Sequence, residues 1–163
     1  MQLYRLGTSL HPIWDGTGAA LYGGRWNPPG VPVIYAAGSL SLAMLERLVQ
    51  RRNLDGTILV EAAADDDILI EDLMSNPPAD WRALGSSEAQ AAGARWAAGG
   101  RSALLRVPSA LVPREPNYVV NPAHPDAARI RASMPEMLEW DPRPFGIPAP
   151  RGRAGRRQRT TGR

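Results

Sequence analysis

Gly23-Gly24-Arg25-Trp26-Asn27 combines a permissive backbone, a forked cation and a flat aromatic ring within five residues. Paired glycines let the main chain approach a ligand closely. An arginine can fork onto a pyrophosphate or a ribose hydroxyl, and a tryptophan offers a face to a ring. The same run also reads as a surface loop with one buried tryptophan as a plug, and the residues alone weigh the two readings evenly. Tyr35, inside an apolar run, is by itself a core tyrosine whose hydroxyl needs a partner. Glu46, beside Arg47 in a helical pattern, is by itself a surface carboxylate in a local ion pair. Ser109 after Pro108 starts a turn. Sequence order does not reveal a Ser–His–Asp geometry.

Other chemistries find less support. His11 and His124 are far apart, and Asp65-Asp66-Asp67 reads as a solvated turn, so no metal site is expected. Gly16-Thr17-Gly18-Ala19-Ala20-Leu21 begins like a dinucleotide-binding glycine loop and fails at its third glycine. A Walker lysine is excluded, because the chain has no lysine. It also has no cysteine, which removes disulfides, thiolate metal sites and a thiol nucleophile.

The 163 residues are 44% hydrophobic, which predicts one globular domain with a single core. All 19 basic residues are arginine, and six of them lie at 151, 153, 156, 157, 159 and 163. Residues 1–150 hold the other 13 arginines against all 16 acids, a net charge of −3. The sequence pI of 9.9 therefore describes a tail, and direct nucleic-acid binding is not expected except through that tail. Met1 to Leu10 lacks a basic start followed by an apolar run, and no apolar stretch is long enough to span a bilayer. A cytoplasmic protein is expected, with no membrane partner.

These residues need elements to position them. Gln2 to Leu6 predicts a strand, and residues 7–31, rich in Gly, Pro, Asn and Asp, predict a long loop. Val33 to Ala36 predicts a buried strand. Ser39 to Arg52 predicts a helix with an apolar stripe through Leu42, Leu45, Leu48 and Val49, with Arg47 on the opposite face and Glu46 just past the stripe's edge. Asn53-Leu54-Asp55-Gly56 predicts a turn. Strands are predicted over Thr57 to Ala63, Ile68 to Ile70, Ala103 to Val107, Tyr118 to Val120 and Met137 to Trp140. A helix is predicted from Ser86 to Ala98, capped by Ser86 or Ser87 and stopped by Gly99-Gly100, and a shorter one over Ala123 to Arg131. Strands and helices mix without a regular β-α-β repeat, so the expected fold class is α+β. Residues 1–145 are the expected folded domain. Residues 146–163, dominated by Pro, Gly and Arg, are expected to be a disordered tail.

The dispersed segments resemble the RES-domain toxins of bacterial toxin–antitoxin pairs, a family named for an Arg, a Glu and a Ser. The matching stretches are Leu3-Tyr4-Arg5-Leu6, Gly23-Gly24-Arg25-Trp26-Asn27, Val33-Ile34-Tyr35-Ala36-Ala37, Leu42-Ala43-Met44-Leu45-Glu46, Val107-Pro108-Ser109, Asn117-Tyr118-Val119-Val120-Asn121-Pro122 and Asp141-Pro142-Arg143. The resemblance implies a compact domain of the ADP-ribosyltransferase type, a mixed sheet with flanking helices around a cleft for NAD. It maps the family's Arg, Glu and Ser onto Arg25, Glu46 and Ser109, with Tyr35 as a further catalytic residue; Ser39 is a second candidate for the serine. Arg5, Trp26 and Asn27 become candidate NAD-binding residues. No cofactor is implied, since NAD is the substrate, and the implied partner is an antitoxin with a helix-turn-helix DNA-binding domain.

The implied chemistry is cleavage of the nicotinamide–ribose bond by a glycohydrolase or phosphorylase. Such cleavage builds positive charge on the ribose, which a nearby carboxylate stabilises. In this resemblance Glu46 does so, Arg25 holds the pyrophosphate or an adjacent ribose, Tyr35 and Trp26 pack on nicotinamide, and Ser109 orients the ribose or the acceptor. Two alternatives remain: a mono-ADP-ribosyltransferase acting on a specific protein, and a non-catalytic module that docks nucleic acid through its basic tail.

Overall fold

A computed structural model describes residues 1–50 and 54–145. Eight strands form one sheet: β1 (Gln2–Thr8), β2 (Ile34–Ala37), β3 (Thr57–Ala64), β4 (Ile70–Asp72), β5 (Leu104–Pro108), β6 (Pro116–Val120), β7 (Ile130–Ala132) and β8 (Glu136–Met137). Their order is β4-β5-β6-β2-β1-β3-β7, with β8 also on β3. Among the described residues only β4 and β5 run parallel. Three helices flank the sheet: α1 (Thr17–Tyr22), α2 (Leu40–Val49) and α3 (Ser87–Gly99). This is the mixed α+β domain that the sequence predicts.

Side chains alternate across each strand, and apolar residues on both faces are buried. Leu104, Tyr118 and Val120 join Leu3, Ile34, Ala36 and Ala62 in one core cluster. Leu105, Val107 and Val119 face the other way, under Trp26, Ala89 and Trp96. This explains why β5 and β6 read as continuous apolar runs. On that second face α2 packs Leu42 and Ala43 against Ala37, beside Tyr4 and Leu6.

The join between β1 and β2 is narrow. These strands share the single register pair Tyr4↔Ala37, whereas β1 and β3 pair from Gln2↔Ala63 through Thr8↔Thr57. The sheet thus consists of two well-laddered parts with a weak seam. Beside it, Arg5 Nη1 donates to the main-chain oxygen of Tyr35 at 2.7 Å, adding a side-chain tie where the ladder is short.

Several predicted elements are corrected. The loop over 7–31 contains α1. The inward side of α2 runs through Leu42, Ala43 and Arg47, all buried. Leu42 of the predicted stripe is buried, but Leu45 is 37% and Val49 53% exposed, and Arg47, expected on the opposite face, is buried instead. The small Ala43 packs with Leu42 against Ala37 in one cluster. The short helix predicted over 123–131 is a 3₁₀ turn, Pro125–Arg129, started by His124, whose Nδ1 accepts from Asp126 N–H at 3.1 Å. The chain then enters β7, which no sequence pattern indicates. The predicted final strand begins one residue earlier and stops at Met137. Part of the predicted turn at 53–56 and the whole tail at 146–163 lie outside the described residues.

Candidate active site

Two hydrogen-bonded clusters form on the sheet face covered by α2 and α3. The first is built on Tyr35 in β2. Its hydroxyl accepts from Trp26 N–H at 2.9 Å and donates to Asn27 Oδ1 at 2.7 Å. Asn27 is fully buried, and its Nδ2 donates to the carbonyls of Ala19, Pro28 and Val31. Burial pushes the Tyr35 hydroxyl up to about 12, against opposing pulls from the Trp26 N–H, the Arg25 and Arg5 cations and Asn27. Tyr35 is therefore neutral at any physiological pH.

The two glycines have separate tasks. Gly23 sits at φ +69°, in the left-handed region. Gly24 lies against the tyrosine, where a Cβ would stand 2.5 Å from the Tyr35 hydroxyl. Gln90 of α3 donates to the Gly24 carbonyl at 2.9 Å. Trp26 is 2% exposed and stacks on Trp81 at 6.3 Å between ring centroids. Trp26 and Asn27 thus build the loop from inside, and the plug reading describes the tryptophan. Arg25 remains half-buried. Its Nη1 donates to the carbonyls of Trp81 at 2.7 Å and Ala83 at 3.0 Å. Among the described residues its Nε and Nη2 make no hydrogen bond, which leaves one edge of the fork for an anion.

The second cluster is built on Glu46. Its Oε1 accepts from Ser109 Oγ and from Asn117 Nδ2, each at 2.8 Å. Ser109 follows the end of β5 and is fully buried. Asn117 lies in β6 between Ala37 of β2 and Val107 of β5. The local ion pair that Arg47 suggests does not describe Glu46, which points instead across the sheet face. Ser39 does not join this cluster. It caps α2 by accepting from Leu42 N–H at 3.2 Å and donates to Glu115 at 3.3 Å.

The two clusters are neighbours. Tyr35 pairs with Val119, and Ala37 with Asn117, so Tyr35 and Asn117 are diagonal neighbours on one face, at a backbone spacing of about 7–8 Å. Arg25, Tyr35, Glu46 and Ser109 therefore gather within one region of the sheet. Arg5 is at the adjoining seam, bound to the main chain of Tyr35, and its buried Nε has no hydrogen-bond partner. Burial lowers the Arg5 pKa, offset in part by Asp15 and Tyr35.

Asn117, Trp81 and Gln90 were not singled out from the sequence as site-building residues. Asn117 opens one of the stretches that carry the family resemblance, but it falls just outside the strand predicted from Tyr118 to Val120, which in the structure begins at Pro116. A concavity of about 710 Å³ lies elsewhere, between α3 and the turn at 76–78, and holds none of these residues. Among the described residues no group of three or more His, Cys, Asp or Glu is placed to hold a metal. Asp65 and Asp67 pair with Arg129, and Asp65 also with Arg131. No helix among the described residues is long and apolar enough to cross a membrane.

Comparison with known proteins adds four findings. The RES domain family matches residues 2–141. A Prs ADP-ribosylating toxin of Sphingobium sp. (strain YBL2) is 41% identical over 137 residues, covering 79% of this chain and 84% of that protein. A Toxin Res of Photorhabdus laumondii subsp. laumondii is 41% identical over 133 residues, covering 77% and 85%. Among solved structures, a chain of the M.tuberculosis MbcT-MbcA toxin-antitoxin complex superposes with a TM-score of 0.68 at 25% identity, covering 84% of this chain and 83% of that one.

Proposed function

The chain belongs to the RES domain family and is a toxin of a toxin–antitoxin system, and from that premise we propose that it acts by breaking the nicotinamide–ribose bond of NAD. One observation carries the proposal. Among the described residues the hydrogen bonds to Glu46, from Ser109 and Asn117, both reach Oε1, which leaves Oε2 to meet a ribose beside the Tyr35 cluster. Bond cleavage sends the electron pair to nicotinamide and leaves an oxocarbenium ion on the ribose. The Glu46 carboxylate stabilises that cation electrostatically. Water or phosphate then adds to the anomeric carbon, giving ADP-ribose or its 1-phosphate, and the displaced proton passes to solvent.

The other residues bind and shape. The open edge of the Arg25 fork is the donor for the pyrophosphate, and Arg5, whose Nε is buried, adds its positive charge from the adjoining seam. Tyr35, neutral throughout, holds the loop that carries Arg25. Trp26 and Asn27 act through that loop rather than by touching substrate. No metal or cofactor takes part in this scheme.

The experiment is incubation of purified protein with NAD, with and without phosphate, followed by product identification. Release of nicotinamide with free ADP-ribose or its phosphate supports the proposal. A folded Glu46→Ala variant with full activity would falsify it. The second reading is transfer of ADP-ribose to a protein, favoured by the ADP-ribosylating toxin that is 41% identical to this chain. Labelled NAD separates the two, since transfer leaves the label covalently on protein. The partner we propose is an antitoxin with a helix-turn-helix domain, the solved relative being part of a toxin-antitoxin complex. Co-expression that restores growth, with co-purification of the two proteins, tests it.

A further inference from the structure

We propose that Asn117 and Ser109 together form a two-donor clamp that fixes the orientation of the Glu46 carboxylate, and that Ser109 is a positioning residue rather than an acceptor or a substrate ligand. This rests on the NAD-cleaving reading for its catalytic consequence, though the clamp itself is a property of the free protein.

The hydroxyl of Ser109 is fully committed. Its oxygen accepts from the N–H groups of Leu111 and Val112, both at 3.1 Å. A hydroxyl has two lone pairs and one proton. With both lone pairs occupied, the proton is directed at Glu46 Oε1, 2.8 Å away. The side chain is fully buried as well. An attacking serine needs a free lone pair and access to the anomeric carbon, and Ser109 has neither.

Asn117 completes the arrangement. Its Nδ2 reaches the same Oε1 at 2.8 Å. Rotation about the last side-chain torsion of a glutamate is soft. Two donors converging on one oxygen position hold the plane of the carboxylate. The donors come from rigid places: Asn117 is laddered on both sides, to β2 and β5, and the Ser109 N–H bonds to the Glu115 carbonyl at 3.0 Å. Both donors engage Oε1, so the carboxylate is held in a fixed orientation with Oε2 uncommitted among the described residues, the preorganisation that electrostatic catalysis requires.

The test combines kinetics with a measurement that needs no substrate. Asn117→Ala and Ser109→Ala are each expected to lower kcat about tenfold or more with a KM change within about threefold, as befits loss of a hydrogen bond to a charged group. Asn117→Asp, equal in shape but opposing one carboxylate with another, is expected to be worse than Asn117→Ala. The double variant should lose less than the product of the single effects, because both donors serve one oxygen. Unchanged kcat in a folded Asn117→Ala variant overturns the clamp, as does a loss expressed only in KM.

Separately, the side-chain amide signals of Asn117 in a ¹⁵N spectrum should move in Glu46→Ala while its backbone signal stays near its wild-type position. If those amide signals do not move, the clamp is wrong whatever the substrate. If the wild-type protein consumes no NAD and the signals still move, the clamp stands and the substrate reading fails.

Discussion

Tyr35 and Asn27 are joined by a 2.7 Å hydrogen bond from the tyrosine hydroxyl to the asparagine side-chain oxygen, and this bond ties β2 to the glycine loop. The same hydroxyl accepts from the Trp26 N–H, so one oxygen anchors two consecutive loop residues. Tyr35→Phe removes both bonds and leaves a main-chain N–H and an amide oxygen without these partners. The expected cost is about 1–3 kcal/mol, a fall in Tm of roughly 2–4 °C per kcal/mol in a domain of this size. NAD turnover should fall further than stability explains, because the loop that carries Arg25 loses its anchor. A thermal melt superimposable on the wild type would count against the anchor.

The raised pKa of Tyr35 makes stability depend on pH at the alkaline end. Its folded value of about 12 lies above an unfolded value of about 10. Between these values the unfolded chain has lost a proton that the folded chain keeps. The contribution is therefore fully present below pH 10 and is lost as pH rises toward 12, by roughly 2–3 kcal/mol in all. Denaturant midpoints from pH 9 to 12 should fall more steeply for the wild type than for Tyr35→Phe. Parallel curves would show that this hydroxyl is not the group responsible.

Parts of the molecule were legible in sequence because their causes are local. The bounds of α3 follow from Ser86, whose Oγ accepts from Ala89 N–H at 3.0 Å, and from Gly100 at φ +56°. Strands β5 and β6 were legible because burial on both faces leaves them rich in apolar residues, Leu104, Leu105 and Val107 in one and Tyr118, Val119 and Val120 in the other. The rotation of α2 was not, because hydrophobicity points to Leu45 and Val49 while packing chose Ala43 and Arg47. Glu46 meets donors 63 and 71 residues away, a separation at which no periodicity speaks. Its place in the site came from the ordered resemblance, and Asn117 became visible as its second donor only in three dimensions.

Gly93 records how closely α3 approaches the loop. A Cβ there would lie 1.7 Å from the Trp26 carbonyl oxygen, a main-chain atom that cannot rotate aside. Gly93→Ala must separate the helix from residue 26, disturbing the Trp26–Trp81 stack and the Gln90 bond to Gly24 together. Alanine's better helix propensity, about 1 kcal/mol, is outweighed by an overpacking cost of about 1–3 kcal/mol or more. The expected result is a lower denaturation midpoint together with reduced NAD turnover. A midpoint at or above the wild-type value would mean that the helix and loop are not held in this contact.

Arg25 tests whether the loop presents a fork or only a charge. One nitrogen, Nη1, is used by the carbonyls of Trp81 and Ala83, which aims the rest of the guanidinium. Lysine keeps the charge but presents a single ammonium. Its single ammonium can satisfy those carbonyls or reach the ligand, and it lacks the second nitrogen with which the planar guanidinium does both. Arg25→Lys should therefore raise the KM for NAD about tenfold or more, while Tm changes by only a few degrees, in line with the loss of one bidentate contact. Arg25→Gln, which lacks the charge as well, should bind still more weakly. If Arg25→Lys binds NAD as the wild type does, Arg25 serves to brace the segment at 81–83, and the pyrophosphate contact belongs to Arg5, whose replacement by lysine would then produce the larger effect.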